Sequence, residues 1–478
     1  MKSIFKFKSL PLVAALVLAG CASPSQFTPT AVPAVPQAFK EDTGAHFIAA
    51  APADNQPRGD WWQVFRDPVL DDLVARAGAG NTNLQVAAAR VTEARALLRE
   101  TNSQLLPQVG LNAGAQRASV PAALATRPGE VGNLGTAGLG ASWELDLFGK
   151  LHEARNAAYL DERSREALLQ NTRLVVQADV AQAYFGLRAL DAERTLVRQT
   201  VEAYNDTLRL TERRYQAGDV AELDVARVRS EVASTTSQAL ALDRERALNE
   251  HALAVLLGEL PSNFSLPEAD WAGAVPQVPG GVPSTLLTRR PDVAAAQLAM
   301  QAAEARTGVA RKAWFPDIAL TANGGVASTD IGDLFKWSAR SWGVGALLSL
   351  PLFDAGRRDS IVQQTEAQWD IAAAGYREQV LGAFRDVEDQ LASLRLLADQ
   401  SDAEREAVDA AARATVLSDT RYREGLVSQL ELLDAQRSEL ADRRVAVQVR
   451  DAQFQATVGL IRALGGGWEP EATVVAGR

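Results

Sequence analysis

The sequence contains one cysteine, Cys21, and three histidines in 478 residues. A lone cysteine forms no disulfide within one chain and supplies no thiolate cluster for a metal. The histidines, His46, His152 and His251, are isolated, with no histidine–glutamate pair at metal-ligand spacing. No catalytic constellation is visible, and no glycine-rich nucleotide motif follows a strand. We therefore predict a protein that is not an enzyme and that holds neither a metal nor a soluble cofactor.

Basic residues and long apolar runs are also scarce. Acidic residues outnumber basic ones, 59 to 49, and the net charge of −10 excludes the basic footprint of a nucleic-acid-binding protein. Only two methionines are present, which argues against a methionine-lined path for soft metal ions. Beyond residue 21 no apolar run is long enough for a transmembrane helix. Any part of the chain that crosses a membrane must therefore be built from strands.

The first 20 residues have the pattern of a secretion signal. Three lysines precede a short apolar stretch that ends in Leu-Ala-Gly-Cys at 18–21. This ending predicts cleavage before Cys21 and acylation of its thiol and its new amino group, so the only covalent group expected is a lipid. Alanine rather than aspartate follows, which favours the outer membrane over the inner one. A plain signal peptide with an incidental cysteine is the alternative. Residues 21–58 carry six prolines and little periodicity, which indicates an extended tether.

The rest of the chain repeats itself once. Three pairs of segments match in the same order, about 205 to 209 residues apart, which chance does not explain. The pairs are 84–107 with 293–316, 145–148 with 350–353, and 214–218 with 421–425. We predict two tandem structural repeats, 60–270 and 285–465, joined by a proline- and glycine-rich linker at 271–284 and followed by a tail at 466–478.

Each repeat contains two segments of period-two alternation, apolar on one face and polar or glycine on the other. The predicted strands are 107–118, 136–148, 316–327 and 340–353. This alternation is typical of outer-membrane strands, and it fits an ordinary half-buried antiparallel sheet equally well. In the membrane interpretation four strands cannot close a barrel, and lipid tolerates no open sheet edge. Three copies of the chain would share one 12-stranded transmembrane β-barrel.

The remaining helical patterns are unusually long and predict two hairpins, 150–258 and 357–464. Their apolar residues recur at alternating spacings of four and three, which requires partner helices in a coiled coil. A helix from 357 to 424 would be roughly 100 Å long. The other helix faces are rich in alanine, glutamine, serine, threonine and charged residues, which suits a water-filled space better than a solid core. We predict a mainly α protein in which the hairpins of three chains form a hollow α-barrel.

Several short motifs accompany these features. They are Asp60-Trp61-Trp62, Phe65-x-Asp67-Pro68-x-Leu70, Trp143-Glu144-Leu145-Asp146-Leu147-Phe148-Gly149, Arg290-Pro291-Asp292-Val293, Leu350-x-Leu352-Phe353-Asp354-x-Gly356-Arg357-Arg358, and both Arg-Tyr-x-x-Gly turns. In their order and duplication, over residues 60–465, the chain resembles the TolC-like outer membrane factors, specifically the NodT-type lipoprotein branch. The resemblance implies a homotrimer with a 12-stranded barrel in the outer membrane, four strands per chain, and a long periplasmic α-barrel.

The same resemblance implies partners and a function. The protein would be the exit duct of a tripartite efflux system, docked to a periplasmic adaptor and served by an inner-membrane pump of the RND type. Small molecules expelled by the pump would pass through it passively. Two alternatives remain open: the exit duct of a type I protein-secretion system, and a periplasmic coiled-coil lipoprotein that conducts nothing.

Two carboxylates follow the second Arg-Tyr-x-x-Gly turn. Glu431 and Asp434 are three residues apart, so they lie on one helix face. Around a three-fold axis that face would form two stacked rings of carboxylates, which attract cations and narrow the passage. The resemblance places these positions at an acidic constriction at the periplasmic entrance, where some family members have two aspartates. The alternative is a pair of solvated charges that stabilise a helix N-terminus.

Other residues near the turns are candidates for the same gate. Tyr422 and its counterpart Tyr215 precede the turn glycines, where a phenol can tie one hairpin to its neighbour or pack as an ordinary knob. Asp224 and Arg227 lie at i and i+3 and form either an inter-hairpin contact or an exposed intrahelical pair. Some family members have a basic residue where this chain has Val427, so the latch differs in its details.

The turns themselves are the predicted adaptor-docking surface. Their glycines are expected to end the preceding helices in the left-handed conformation and to reverse the chain. Exposed apolar side chains in such a loop are better explained by a partner than by solvent. The predicted docking residues are Gly218, Asp219, Val220, Gly425, Leu426 and Val427.

Overall fold

The computed structural model of the chain describes residues 36, 38–41, 59–119, 131–271, 273–276 and 289–466. Several predicted segments lie outside these residues: the signal peptide 1–20, Cys21 with its lipid, most of the tether 21–58, most of the linker 271–284 and nearly all of the tail 466–478. The described part is mainly helical with one small sheet, as the sequence predicts.

Two sets of elements follow one another in the same order. The first is α1 (Pro68–Gly80), α2 (Thr82–Ser103), β1 (Gln108–Ser119), β2 (Val131–Leu145), α3 (Lys150–Gln216) and α4 (Glu222–Leu257). The second is α5 (Pro291–Lys312), β3 (Asp317–Ser328), β4 (Arg340–Ser349), α6 (Arg357–Arg423) and α7 (Gln429–Ala463). Matching helices are alike in length, since α3 and α6 have 67 residues each and α2 and α5 have 22 each. The predicted tandem duplication is visible in these lengths.

The long helices lie side by side. At about 1.5 Å per residue, α3 and α6 are each roughly 100 Å long. Helix α4 folds back along α3, α7 folds back along α6, and α3 also packs along α7. The order across the helices is therefore α4–α3–α7–α6, with α4 and α6 at the two edges. None of the helices in the described ranges has an apolar stretch long enough to cross a membrane.

The four–three pattern predicts the buried face of α3 along most of its length. Val180, Val197 and Tyr204 are all buried. Two apolar clusters join the hairpins: Val197 with Ala239, Leu242 and Leu440, and Tyr204 with Val228 and Leu433. Because each cluster draws on α3, α4 and α7, the two hairpins of one chain share a core.

The four strands form one antiparallel sheet in the order β1–β2–β3–β4. The register puts the apolar residues of all four strands on one side, because Leu111 lies opposite Leu139 and Leu139 lies opposite Gly324. Gly324 in turn lies opposite Trp342. We call this side the apolar sheet face; its apolar members include Val109, Leu111, Ala113, Ala115, Ala137, Leu139, Ala141, Trp143, Ile318, Leu320, Ala322, Val326, Trp342, Val344, Ala346 and Leu348. The polar sheet face carries mainly glycine, serine, threonine, asparagine and glutamine.

The apolar sheet face is exposed to solvent in the single chain. Leu111 is 75% exposed and Val344 is 76% exposed. An ordinary half-buried sheet would cover this side with helices, whereas here the helices begin beyond the ends of the strands. The structure therefore favours the membrane interpretation of the alternating pattern over the soluble one.

The second strand differs from its prediction at both ends. The predicted strand 136–148 is β2, Val131–Leu145. Residues 131–135 lack apolar alternation, yet their backbones pair with β1 as far as Val131 opposite Ser119. Pairing depends on main-chain groups, so the side-chain pattern underestimates the strand. The strand ends early because Asp146 accepts hydrogen bonds from the first amides of α3, at 2.8 and 3.0 Å.

The fourth strand is shorter than its prediction, 340–353, because β4 ends at Ser349. Pro351 follows two residues later and has no amide hydrogen for a further ladder bond. The other two predicted strands agree with β1 and β3 to within about one residue.

Residues 38–41, within the predicted extended tether, dock on α6 and form what we call the N-terminal clasp. Phe39 is buried, 6.3 Å between ring centroids from a phenylalanine of α6. The next two amides donate to the Glu388 carboxylate at 2.8 and 3.0 Å. Glu41 accepts a 2.8 Å hydrogen bond from Arg395, which lowers the pKa of Glu41. This contact stabilises the clasp above the carboxyl's ordinary pKa of 4.5 and is lost as the pH falls through the lowered value.

Candidate functional site

The two hairpin tips have the same backbone geometry. Gly218 and Gly425 adopt left-handed φ angles of +84° and +77°, as the sequence predicts. In each turn the amide after the glycine donates a 2.8 Å hydrogen bond to the carbonyl of the arginine that opens the Arg-Tyr motif. This bond occupies a carbonyl that the helix end leaves unpaired, so the chain reverses at little cost. The duplicated motif therefore encodes a duplicated turn.

The acidic pair lies on the exposed side of α7, in its first turns. Glu431 and Asp434 are exposed, while Leu432 and Leu433 between them are buried against the rest of the chain. Within the described residues neither carboxylate forms a salt bridge. The next cation along the helix, Arg437, donates instead to Glu231 of α4 at 2.9 Å. The pair thus presents two uncompensated negative charges at the second tip.

The first tip differs in charge at the equivalent positions. Asp224 corresponds to Glu431 in the duplication, and Arg227 corresponds to Asp434. In the structure Asp224 and Arg227 form an intrahelical pair, with 3.7 Å between charged atoms. Asp224 also accepts a hydrogen bond from the Ala221 amide at 3.4 Å, which caps α4. Within one chain the structure thus shows the intrahelical alternative, and the two acidic positions of the second tip are replaced in the first by an ion pair.

The two tyrosines of the Arg-Tyr motifs have different surroundings. Tyr422 is 3% exposed, whereas Tyr215 is 45% exposed. The Arg214 guanidinium lies over the Tyr422 ring, 4.8 Å from its centroid. The Tyr422 hydroxyl lies 3.5 Å from the hydroxyl of Thr211 on α3. Tyr422 therefore ties the second tip to the first hairpin of the same chain, and Tyr215 remains available at the surface.

Two further residues of this network were missed by sequence reasoning. Thr211 and Gln429 are both buried, and the Gln429 amide nitrogen donates to the Thr211 hydroxyl at 3.0 Å. The Thr211 hydroxyl donates its own hydrogen to the Thr207 carbonyl at 2.8 Å. Its oxygen therefore accepts from Gln429 and Tyr422. We call Thr211, Tyr422 and Gln429 the tip polar cluster. Thr211 could have been identified from the sequence, because it is a polar residue at a core position of the four–three pattern. No feature of the sequence marks Gln429.

We expect Thr211→Val to loosen the start of α7. The substitution leaves the buried Gln429 amide without an acceptor, which costs about 1–3 kcal/mol. Amide hydrogen exchange at residues 429–433 should accelerate by about 5- to 150-fold if exchange follows this local free energy. In the matched variant Thr211→Val/Gln429→Leu both partners are apolar, and exchange should return towards the wild-type rate. Equal exchange in the wild type and the single variant would contradict a role for the cluster.

Exposed leucines surround the turns. Leu426, in the predicted docking loop, is 64% exposed, and Val220 and Val427 are partly exposed. Leu223 and Leu430 occupy equivalent positions in the first turns of α4 and α7 and are also exposed. These two were missed because buried leucines are the usual occupants of amphipathic helices. Their matched positions in both copies were the signal available. We call Leu223, Leu426 and Leu430 the tip leucines.

The histidines in the described ranges do not form a metal site. His152 is exposed, with its Nδ1 2.5 Å from Asp146, and His251 is exposed on α4. His46 lies outside the described residues. Within the described ranges, no group of three or more histidine, cysteine, aspartate or glutamate side chains is arranged to hold a metal ion.

Comparison with known proteins adds the family. The family model described as "Outer membrane efflux protein" matches residues 73–259 and 282–466. The chain belongs to the outer membrane efflux protein family. The two matched segments coincide with the two copies of the duplication, so each copy carries the family pattern.

Individual members of this family align with nearly the whole chain. The probable efflux pump outer membrane protein TtgC of Pseudomonas putida is 34% identical, over 95% of this chain and 94% of the relative. The cation efflux system protein CusC of Escherichia coli is 31% identical, over 97% of this chain and 99% of the relative. The open state of the MtrE outer membrane channel of Neisseria gonorrhoeae superposes with a TM-score of 0.79 at 28% identity, over 92% of this chain and 97% of that one. The chain is thus an outer-membrane efflux protein with the fold of these channels.

Proposed function

We propose that the protein is the outer-membrane exit duct of a tripartite efflux system. It passively conducts small molecules that an inner-membrane pump expels through a periplasmic adaptor. One observation carries the proposal: a sheet with one apolar and one polar face continues into helical hairpins roughly 100 Å long. The sheet suits a membrane wall around water, and the hairpins have the reach of a periplasmic conduit.

The edges of the single chain support the proposal of a homotrimer. Strands β1 and β4 are the open edges of the sheet, and helices α4 and α6 are the edges of the helical layer. Rotational symmetry brings β4 of one copy to β1 of the next, and α6 to α4. Exposed leucines lie on both edge helices: Leu240 and Leu248 on α4, Leu381 and Leu396 on α6. Three copies give a closed 12-stranded barrel, which removes every open edge from the lipid.

In this barrel the apolar sheet face meets lipid and the polar sheet face lines the passage. The strands have 10 to 15 residues, enough to cross a bilayer at the usual tilt. The polar face is crowded at its middle seam, where a Cβ on Gly325 would lie 2.4 Å from the Ala137 carbonyl oxygen. No side chain fits at this point, so glycine allows the backbones of β2 and β3 to approach each other closely.

The second hairpin tips are proposed as the gate. In a trimer, Glu431 and Asp434 form two rings of three carboxylates, and the structure supports this by leaving both exposed and unpaired within the described chain. The tip polar cluster holds the acidic hairpin against α3 of the same chain. Opening therefore requires the cluster to move as a unit or to break. Tyr215, and the Asp224–Arg227 pair beside it, belong to the neighbouring tip in this gate.

The turns, with the tip leucines, are proposed as the surface that docks the adaptor. Exposed leucines at the end of a hairpin fit an apolar partner surface. Leu223 and Leu430 occupy equivalent positions at the two tips, whereas Leu426 of the second tip is matched by Asp219 in the first. The pump is proposed to be of the RND type. The names of TtgC and CusC refer to an efflux pump and to cation efflux, so the related channels serve different cargoes and the pump is expected to select the substrate.

The lipid on Cys21 is proposed as a membrane anchor of limited reach. Seventeen residues lie between Cys21 and Phe39 of the clasp, and this segment spans at most about 60 Å. Phe39 docks near Phe384, and the helix between there and the start of α6 is about 40 Å long. The tether therefore reaches from the clasp to the membrane end of the hairpins only when largely extended.

Deletion of the gene in its host tests the function. Cells that lack the protein should accumulate fluorescent efflux dyes, and the wild-type gene should restore the low level. The Glu431→Ala/Asp434→Ala variant serves as the control for a gate change that leaves the duct intact. Unchanged accumulation for a panel of dyes, together with the loss of a secreted protein from the medium, would instead support the type I secretion duct.

A further inference from the structure

The apolar sheet face carries two charges in the described strands, and both are arginines. The register places Arg117 of β1, opposite Asn133, and Arg340 of β4, opposite Val326, on this face. Both lie near the strand ends that enter the hairpin loops, far from the helices. No carboxylate lies on the same face in these strands. In contrast, the polar face has Glu144 and Asp317 near the helical end.

The two carboxylates on the polar face pair with a lysine of α3, whereas the arginines on the apolar face have no such partner. The Lys150 ammonium lies 2.9 Å from the Glu144 carboxylate and 2.5 Å from the Asp317 carboxylate. Neither Arg117 nor Arg340 forms a salt bridge with any described residue. Two arginines at the edge of an apolar face, without a counterion from the described chain, are available to an anion from outside it.

An exposed aromatic ring stacks on Arg340. The Arg340 guanidinium carbon lies 3.8 Å from the centre of the Trp337 ring. Trp337 is 79% exposed, and Trp342, two residues after Arg340 on the same sheet face, is 81% exposed. Stacking occupies the face of a guanidinium and leaves its edge N–H donors free for a bidentate acceptor. Tryptophan rings settle at the level of lipid headgroups, so the cluster has the composition of a membrane interface.

The acidic residues of the β3–β4 loop do not compete for Arg340. The Asp333 carboxylate lies 2.5 Å from the Lys336 ammonium. The Asp330 carboxylate accepts a 2.9 Å hydrogen bond from the Gly332 amide. Both acids are thus engaged within the loop itself, and the free cation of the cluster is Arg340.

The dimensions agree with a site at the membrane surface. From Arg340 to Leu348 the strand is about 26 Å long at roughly 3.3 Å per residue, close to the apolar band of about 25 Å in outer-membrane barrels. An arginine is costly at the bilayer midplane and costs almost nothing at the interface. Arg340 therefore lies at the level of the membrane interface, at the end of the sheet opposite the periplasmic helices.

We propose that Arg340, stacked on Trp337 and beside Trp342, together with Arg117, binds the phosphate groups of the phosphorylated glycolipid in the outer leaflet. The site rests on the proposed function, because it requires the sheet to cross the outer membrane with its loops outside. Guanidinium forks match phosphate oxygens in geometry and charge. In a trimer, β4 of one copy adjoins β1 of the next, so each seam brings Arg340 and Arg117 of neighbouring copies to adjacent strands.

The test measures lipid binding to the purified trimer by native mass spectrometry, with diphosphorylated lipid A as the probe. Lipid A should bind the wild type, and Arg340→Gln/Arg117→Gln should bind it at least about tenfold more weakly, the loss expected for one hydrogen bond to a charged group. Arg340→Lys keeps the charge without the fork and should bind at an intermediate level. Arg209→Gln, which removes an exposed arginine near the hairpin tip, is the matched control and should bind like the wild type.

Three results would overturn the site. One is equal binding of lipid A by the wild type and the double glutamine variant. Another is that the wild type binds dephosphorylated lipid A as tightly as diphosphorylated lipid A. A third is equal affinity for phosphatidylglycerol, which would assign the arginines to phospholipid phosphates in general. Channel recordings separate this failure from that of the proposed function: a conducting protein without lipid preference loses only the site, whereas a protein that never enters a bilayer loses both.

Discussion

Replacement of Glu431 and Asp434 by alanine is expected to make the channel insensitive to divalent cations and to reduce its preference for cations. The trimer would lose six carboxylates from its narrowest part. Each carboxylate is exposed and has no salt-bridge partner in the described chain, so in the proposed trimer its charge is available to a cation in the passage. A divalent cation binds between carboxylates of different copies because it relieves their mutual repulsion.

The magnitude should be large. Two unit charges about 6 Å apart repel by about 3 kcal/mol at an effective dielectric constant near 20. A bridging cation that relieves one such contact binds roughly 100-fold more tightly than it would to a single carboxylate. Planar-bilayer recordings with Mg²⁺ titrated on one side measure the block. The blocking concentration should rise by about two orders of magnitude in Glu431→Ala/Asp434→Ala.

The equivalent residues of the first hairpin provide the matched control. Asp224→Ala/Arg227→Ala removes a carboxylate and its own counterion, which lie 3.7 Å apart. The net charge of the tip is unchanged, so block by Mg²⁺ should stay near the wild-type value. If the control variant lost the block and the acidic variant kept it, the gate would have to be assigned to the first hairpin.

Val344→Arg is expected to abolish assembly of the channel in the membrane. Val344 lies near the middle of the apolar sheet face and is 76% exposed in the single chain. An arginine at the bilayer midplane costs about 2–4 kcal/mol in each copy, and three copies raise the cost to about 6–12 kcal/mol. Such a cost is comparable with the whole stability of an ordinary domain.

Thr321→Arg is the control for Val344→Arg, because it places the same side chain on the polar sheet face. Thr321 lies on the neighbouring strand, opposite Gly345 and Ser142, and faces the proposed passage. This variant should assemble and show altered ion selectivity. The heat-resistant trimer on gel electrophoresis and the amount in outer-membrane fractions measure assembly. Normal assembly of Val344→Arg would contradict the assignment of the apolar face to lipid.

The features that sequence analysis predicted well are those encoded in periodic side chains. The long helices, both turn glycines and the two-faced strands follow from spacing that a single chain displays along its length. The duplication supported these predictions, since each pattern occurs twice in the sequence. The predicted bounds of β2 and β4 were wrong at their ends, where backbone pairing, a helix cap and a proline decide the strand limits.

Features that depend on contacts between distant segments could not be predicted. The clasp joins Phe39 and Glu41 to helix α6, some 350 residues away, and nothing in the local sequence marks it. Gln429 belongs to the tip polar cluster only because α3 of the other repeat passes beside it. Tyr215 and Tyr422 share a motif, yet their burial differs because the hairpins occupy different places in the helical layer.

Divergence between the repeats explains how one duplicated hairpin serves two roles. The turns have the same backbone geometry, and Leu223 and Leu430 occupy equivalent exposed positions, so both tips are suited to a partner. The tips differ at the positions of Glu431 and Asp434, because in the first hairpin Arg227 pairs with Asp224. Within one chain the tip polar cluster joins the two, so a movement of the acidic tip is transmitted to the neighbouring hairpin. The proposed docking surface and the proposed gate therefore lie at the same end of the hairpins.

Single-channel recording from the wild-type protein in planar bilayers tests the central claim most directly. Purified protein should insert and produce discrete conductance steps. Low concentrations of Mg²⁺ should block these steps from one side only, the side on which the hairpin tips lie. The absence of any conductance from inserted protein, in both the wild type and the Glu431→Ala/Asp434→Ala variant, would contradict an exit duct. Such a result would favour a structural lipoprotein that conducts nothing.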